Sequence, residues 1–320
     1  MPAQSQTSTP ITLVGNLALD ITVFTTASPQ ASGPREDYPA DVRIEAGGSV
    51  YNHARAHASL GVPAHIVSLY ADDAEGHLLT SRLESAGIPG PFLAPLLPRN
   101  HKTVLIIDPA GDKTIHTCRA SFPPIENVTN ALAPALTGRR HVHIAPNPWS
   151  IPLACHLPPG AVLSADLHVG FDLEPYPGFL PRTGIVFFSG KGVPDIPARI
   201  AGYLAPGPAL VICTDAGRGC HLATSSDPSA VRTFPAVSQD EPVIDSAGAG
   251  DVFAATFLHY YHAGMPLDTA VHYAHLQAGH SCTRKGLSHL HPAPVLDHLH
   301  AEYGRSYQAT VRPYSRTAMS

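Results

Sequence analysis

Asp245-Ser246-Ala247-Gly248-Ala249-Gly250-Asp251 is the stretch on which the reading of this chain turns. It follows a two-residue apolar strand candidate, Val243-Ile244, and opens an apolar helix predicted over Val252 to His262. Gly248, Ala249 and Gly250 carry almost no side chain, so their backbone N–H groups can approach a ligand closely. At a helix start, those N–H groups and the helix dipole form a site for an anion. Asp251 places a proton acceptor beside it. That pairing suits phosphoryl transfer to a hydroxyl: the N–H groups stabilise the moving phosphoryl and the carboxylate takes the proton. A packing turn with Asp as a helix cap accounts for the same stretch equally well in isolation.

Upstream, Thr214-Asp-Ala-Gly217-Arg-Gly219 directly follows the apolar run Ala209–Cys213. Open α/β sheets bind ligands at such strand ends, although a plain hairpin into Cys220–Thr224 explains the glycines too. Near the N-terminus, Ile11–Val14 reads as a buried strand followed by Gly15…Asp20. Glu45-Ala-Gly47-Gly48-Ser-Val-Tyr-Asn52 leads into a helix over about 50–60, and Asp72 or Asp73 caps another that runs to about Ala86. Gly47-Gly48 is either a turn or backbone held against a ligand, with Asn52 one turn inside the helix as a hydroxyl-binding side chain. Further strands are predicted at Ala64–Ser68, His141–Ile144, Ala161–Leu163 and Ile185–Phe188, with prolines weakening the helical segments after residue 140. A hairpin of Thr103–Ile107 and Lys113–Cys118 interrupts the strand–helix alternation and predicts a small extra β layer. Residues 27–40 read as a mobile Pro/Gly/Ser-rich connection, and residues 304–320 as a loosely ordered tail.

Bulk properties exclude several classes. A net charge of −5 offers no footprint for nucleic acid. The apolar runs are far too short to span a membrane, and Met1 to Pro10 is polar with no secretory pattern. Five scattered cysteines with no C-x-x-C pair fit a reducing, cytoplasmic setting. The 20 histidines include pairs at 141/143, 272/275, 289/291 and 298/300. These pairs lack accompanying acids or thiols at ligand spacing, so they predict no dedicated metal site.

The ordered set of features resembles the ribokinase-like (PfkB) family of carbohydrate and nucleoside kinases over roughly residues 11–300. The resemblance is carried by Gly15…Asp20, Gly47-Gly48…Asn52, Asp72-Asp73…Gly76, Gly111-Asp-Lys113, Thr214…Gly219, Asp245…Asp251 and Thr283-Arg-Lys-Gly286. It implies an α/β fold with a doubly wound, mostly parallel sheet and a small β-sheet lid. The whole of 1–320 would form one kinase domain, its lid built from about 18–45 and 97–120. It implies Asp251 as catalytic base and Gly248, Ala249 and Gly250 as anion hole. Asp20, Gly47, Gly48 and Asn52 would contact the acceptor, and Thr214, Gly217 and Gly219 the nucleotide. Asp245, with carbonyls near Gly286, would hold a monovalent cation such as K+. ATP and Mg2+ are the implied cofactors, and a homodimer through the lid is the implied assembly. The implied reaction is phosphorylation of a sugar or sugar derivative. A nucleoside kinase of the adenosine type and a non-catalytic sugar or nucleotide binder are the alternatives.

The chain also departs from the family pattern. Ser189-Gly-Lys191-Gly192 replaces the Asn-x-x-Glu that family members often carry after this strand, which leaves Lys191 either beside the phosphates or solvated. Ala216 stands where a glycine is common. Ala18, Ser49 and Pro146-Asn147 replace groups that ribokinases proper use for ribose. Tyr51, Phe122 and Trp149 are candidate walls for a nucleoside base. The helix N-terminus predicts a lowered Asp251 pKa and hence a weak base.

Overall fold

The computed structural model describes residues 10–26, 39–88, 91–109 and 113–315. From the N-terminus run β1 (Ile11–Val14), β2 (Ala18–Phe24), β3 (Asp41–Gly47), α1 (Ser49–Ser59), β4 (Ala64–Leu69), α2 (Ala74–Ser85) and β5 (Phe92–Ala94). Next come β6 (His101–Ile107), β7 (Lys113–Cys118), α3 (Ile125–Leu132), β8 (His141–Ile144), β9 (Val162–Asp166) and β10 (Ile185–Ser189). The C-terminal part holds α4 (Ile196–Leu204), β11 (Leu210–Thr214), β12 (Cys220–Thr224), β13 (Asp227–Phe234), α5 (Ala249–His262), α6 (Leu267–Ser281), α7 (Ala293–Gln308) and β14 (Arg312–Pro313).

The main sheet has the order β14-β13-β12-β11-β10-β9-β8-β1-β4-β5. It is parallel from β11 to β5 and antiparallel at the β11–β14 edge. Its central strands are apolar on both faces, as strands between two helix layers must be. Along β10, Ile185 and Phe187 face one core while Val186 and Phe188 face the other; β11 divides Leu210 and Ile212 from Val211 and Cys213 in the same way. Helices α1, α5, α6 and α7 pack in the first core, α3 and α4 in the second. This is the doubly wound α/β arrangement.

A separate sheet has the order β3-β2-β6-β7, with β2 and β6 parallel and both outer pairs antiparallel. The hairpin is therefore β6–β7, but its tip, Ala110–Asp112, lies outside the described residues, and with it Gly111 of the family motif. Most of the 27–40 connection lies outside them too. Lys285 ties this sheet to the loop after α6: its Nζ lies 3.2 Å from Asp41 and 3.7 Å from the centroid of the Phe24 ring.

Three expectations are corrected. Val243-Ile244 forms no strand: the segment follows Pro242, Val243 is exposed, and the Ile244 and Asp245 N–H groups donate to the Cys282 carbonyl instead. Pro197 does not weaken α4 but starts it, since proline fits the first helical turn, where Asp195 caps Ala198. The tail does not loosen at 304. The last helix continues to Gln308, buries Tyr307 beside His275, and Arg312–Pro313 then extends the main sheet. Residues 41–47 form a strand opposite β2, with Asp20 paired to Glu45, and α1 begins after Gly48. Among the described residues, no helix is long and apolar enough to cross a membrane.

Candidate active site

Two helix N-termini meet at Asp251. Gly248 caps α5 in the left-handed region (φ +75), and a Cβ there would lie 2.9 Å from the Asn52 amide nitrogen. Gly48 caps α1 at φ +87, where a Cβ would lie 2.5 Å from the Asn16 carbonyl oxygen. Glycine is thus required at both caps by backbone angle and by space. Asp251, in the first turn of α5, has a side chain only 12% exposed. Ser49 Oγ donates to its Oδ1, and Asn52 Nδ2 donates to its Oδ2 at 2.8 Å. Gly250 is exposed, and a Cβ there would meet open space.

Burial pushes the Asp251 carboxyl up from its ordinary value, and the Asp166 charge adds to this, while His168 and the Ser49 and Asn52 hydrogen bonds pull it down. The lowered pKa expected from the helix N-terminus is therefore corrected: burial makes desolvation the largest influence, and its direction is upward.

Asp20 lies on β2 against Gly47 of β3. A Cβ on Gly47 would stand 1.9 Å from Asp20 Oδ2, so the carboxylate occupies the room a side chain would take. Burial raises the Asp20 pKa to about 7, opposed by a Thr103 hydrogen bond and reinforced by the charges of Asp251 and Glu45.

A cavity of about 550 Å³ opens between the two sheets. Ala18, His101, Thr103, Thr117 and Arg119 line it from the small sheet. Gly48 and Ser49 line it from the start of α1, and Leu167–Asp172 from the loop after β9. Ser49 and His168 connect it to Asp251. On its wall, Trp149 Nε1 donates to Asn16 Oδ1 at 2.8 Å and Asn16 Nδ2 donates to Asn147 Oδ1 at 2.8 Å. The indole itself is fully buried. Phe122 packs on the His101 ring and Tyr51 on the core, so none of the three aromatic residues singled out from the sequence lines the cavity.

The second glycine loop lies at the C-terminal end of β11. Thr214 Oγ1 donates to the Phe188 carbonyl at 3.4 Å, and Gly217 faces open space. Gly219 (φ +101) packs so tightly on β13 that a Cβ would lie 2.0 Å from the Phe234 carbonyl oxygen. Ala216 adopts φ +49, a left-handed conformation that favours the glycine common there. Buried Asp215 anchors the loop through two bonds from Arg218, at 2.8 and 2.6 Å, and a 3.3 Å contact with His221. Lys191 is exposed. Asp245 accepts from Ala247 N at 2.9 Å and from Gly286 N at 3.3 Å, joining the two loops that the resemblance pairs.

Sequence reasoning missed Asp166, His168 and His53. Asp166 ends β9 and accepts the His168 N–H at 2.8 Å; His168 itself adopts φ +51. Ligand atoms of Asp166, His168 and Asp251 lie within 4.8 Å of one another. The usable signal was position: an Asp at the C-terminal end of a parallel strand, as at Thr214. The histidine pairs noted in the sequence serve packing instead. His141 stacks near His262, His280 on His291, and His272 shares a 2.8 Å Nδ1–Nδ1 contact with His300. Burial lowers His57 and His275 to about 3 and His143 to about 4, so these rings are neutral fillers.

Residues 186–294 match the family model described as pfkB family carbohydrate kinase. The acarbose 7(IV)-phosphotransferase of Actinoplanes sp. (strain SE50/110) is 27% identical over 296 residues, covering 86% of this chain and 92% of that protein. The solved structure of a microbiome-derived acarbose kinase, Mak1, superposes with a TM-score of 0.82 at 22% identity, covering 92% of this chain and all of that one. The Arabidopsis thaliana ribokinase, solved with ribose and ATP, gives 0.72 at 19% identity, covering 91% and 98%. The matched segment contains the strand end at Thr214 and the Asp245–Asp251 turn. The chain has the ribokinase-like fold, and its residues 186–294 are similar to the pfkB family of carbohydrate kinases.

Proposed function

We propose that the chain transfers the γ-phosphoryl group of ATP to a hydroxyl of a sugar derivative, with Asp251 as base and the N–H groups of Gly248, Ala249 and Gly250 as anion hole. One observation carries this reading: two helix N-termini converge on a nearly buried, pKa-raised carboxylate that Ser49 and His168 link to a cavity of about 550 Å³. The acceptor hydroxyl donates to Asp251, and the phosphoryl passes over the start of α5. In a loose transition state little proton removal is needed early, so positioning matters more than basicity.

Asp20, the Gly47-Gly48 backbone and Asn52 hold other hydroxyls of the acceptor. The small sheet, β3-β2-β6-β7, serves as the lid over it. Its exposed Val42, Ile44 and Ile115 support the homodimer reading. Thr214, Gly217 and Gly219 hold the nucleotide. Mg2+ arrives with the ATP phosphates, whose charge it offsets. Asp245 fits a monovalent cation: each of its oxygens accepts one N–H and keeps a lone pair free.

The related acarbose phosphotransferase and acarbose kinase make acarbose the first acceptor to test. A nucleoside acceptor is the second reading: Tyr51, Phe122 and Trp149 do not line the cavity, but Phe171 does and offers a base an aromatic wall. The test is ADP release with acarbose, ribose, fructose, adenosine and inosine, with and without K+. Turnover with acarbose or another saccharide and none with the nucleosides supports the reading. Turnover with the nucleosides alone replaces it.

A further inference from the structure

We propose that Asp166, His168 and Asp251 form a binding site for one divalent transition-metal ion, the borderline Zn2+ ahead of the harder Mn2+. The ligand atoms already gather: all three pairs lie within 4.8 Å, and Asp166 Oδ1 is 3.7 Å from His168 Nδ1. An ion with bonds of about 2.1 Å places adjacent ligands roughly 3.0–3.5 Å apart, so closure draws the ligand atoms together by no more than about 1–2 Å, within the reach of side-chain rotation. Two carboxylates and one imidazole leave open coordination positions for water. An imidazole ligand favours such ions over Mg2+, which prefers oxygen and its own water shell.

The surroundings are prepared independently of the three ligands. His53 is fully buried, and neither ring nitrogen has a hydrogen-bond partner among the described residues. Its Nε2 lies 3.8 Å from Asp251 Oδ1. A buried polar group without a partner is costly. A carboxylate drawn onto a metal ion gains from a donor behind it, and His53 is aimed to be that donor. Its ring is stacked on His143 at 4.1 Å, and His143 is held by Ser164 at 2.9 Å, so the imidazole is fixed. On the other side, the Asp166-x-His168 turn is closed by its own hydrogen bond, and His168 is half-exposed, which gives the ion a path in.

The site has a consequence that rests on the reading of Asp251 as base. A carboxylate that ligates a metal ion cannot also accept the acceptor's proton, so occupation and turnover exclude each other.

Metal-stripped protein without nucleotide or acceptor is titrated with Zn2+, and in parallel with Mn2+ followed by its electron spin resonance. One ion is expected to bind ahead of the weaker surface histidines, unaffected by millimolar Mg2+. His168→Asn keeps the left-handed backbone accessible and is expected to weaken this first ion at least tenfold. Asp166→Asn should do the same, and His53→Phe should weaken it less. Circular dichroism confirms that each variant is folded. Unchanged first-ion affinity in folded His168→Asn and Asp166→Asn would overturn the site, because the ion then sits elsewhere. Equal competition by Mg2+ would overturn its borderline character. With wild-type enzyme, Zn2+ inhibition should track measured occupancy. If the protein has no turnover, the kinase reading fails while the binding result stands.

Discussion

The acceptor side and the nucleotide side of this site are built differently. Around the acceptor, side chains lock one another: Ser49 and Asn52 hold Asp251, Asn16 bridges Asn147 and Trp149, and Asp20 fills the space beside Gly47. At the nucleotide side, Ser189-Gly-Lys191-Gly192 replaces the usual Asn-x-x-Glu and Ala216 is held left-handed. In the proposed reading, backbone N–H groups and strand ends hold the nucleotide there, on a loop anchored by Asp215. The difference is between a carboxylate positioned by neighbouring side chains and a loop positioned by its backbone.

Gly47→Ala strikes the acceptor side hardest. The new Cβ must displace Asp20, so the acceptor KM should rise at least tenfold while the ATP KM stays within about twofold, and overpacking should cost about 1–3 kcal/mol. An unchanged acceptor KM would show that Asp20 does not contact the acceptor.

Asp20→Asn sharpens the comparison through pH. The Asp20 pKa is about 7 in the folded chain against 3.8 as its ordinary value. Below about pH 4 the carboxyl is protonated in both states and costs nothing. Between there and pH 7 only the unfolded chain releases its proton, so wild-type stability falls as pH rises and levels off above about pH 7. Asp20→Asn should remove that slope, leaving the variant more stable than wild type at pH 8 by a few kcal/mol and equal to it near pH 4. Denaturant unfolding at the two pH values checks this, and the gain should come with weaker acceptor binding.

Ser49→Ala removes a hydrogen bond that lowers the Asp251 pKa. The carboxyl should move further up, and the acid limb of the kcat/KM profile should shift to higher pH. On the nucleotide side, Ala216→Gly should stabilise the protein by about 1 kcal/mol, since it relieves the left-handed strain. Lys191→Ala is the smallest change expected. An exposed lysine contributes mainly by screened attraction, so ATP KM should rise by no more than about threefold.

Much of this was legible in the sequence for reasons that are local. Ile185–Phe188 and Ala209–Cys213 are unbroken apolar runs because their strands are buried on both faces. Gly48 and Gly248 announce themselves because both caps need positive φ. What stayed hidden depends on distant partners. Val243-Ile244 has the apolar character of a strand, yet Cys282 claims its N–H groups. The last helix was masked because its buried side includes Tyr307 and meets the histidines of α6, whose neutral rings replace the expected apolar stripe. Asp166 and His168 carry no motif of their own and join Asp251 only when the end of β9 and the start of α5 come together in the fold. The direction of the Asp251 pKa shift stayed hidden because it is set chiefly by burial, a tertiary property.

Asp251→Asn, assayed for acceptor-dependent ADP release with acarbose and for ATP binding by calorimetry, tests the central claim most directly. The swap preserves shape and removes the proton acceptor. Turnover should fall at least 100-fold with ATP affinity within about threefold of wild type. Turnover within about threefold of wild type would contradict the assignment of Asp251 as the base.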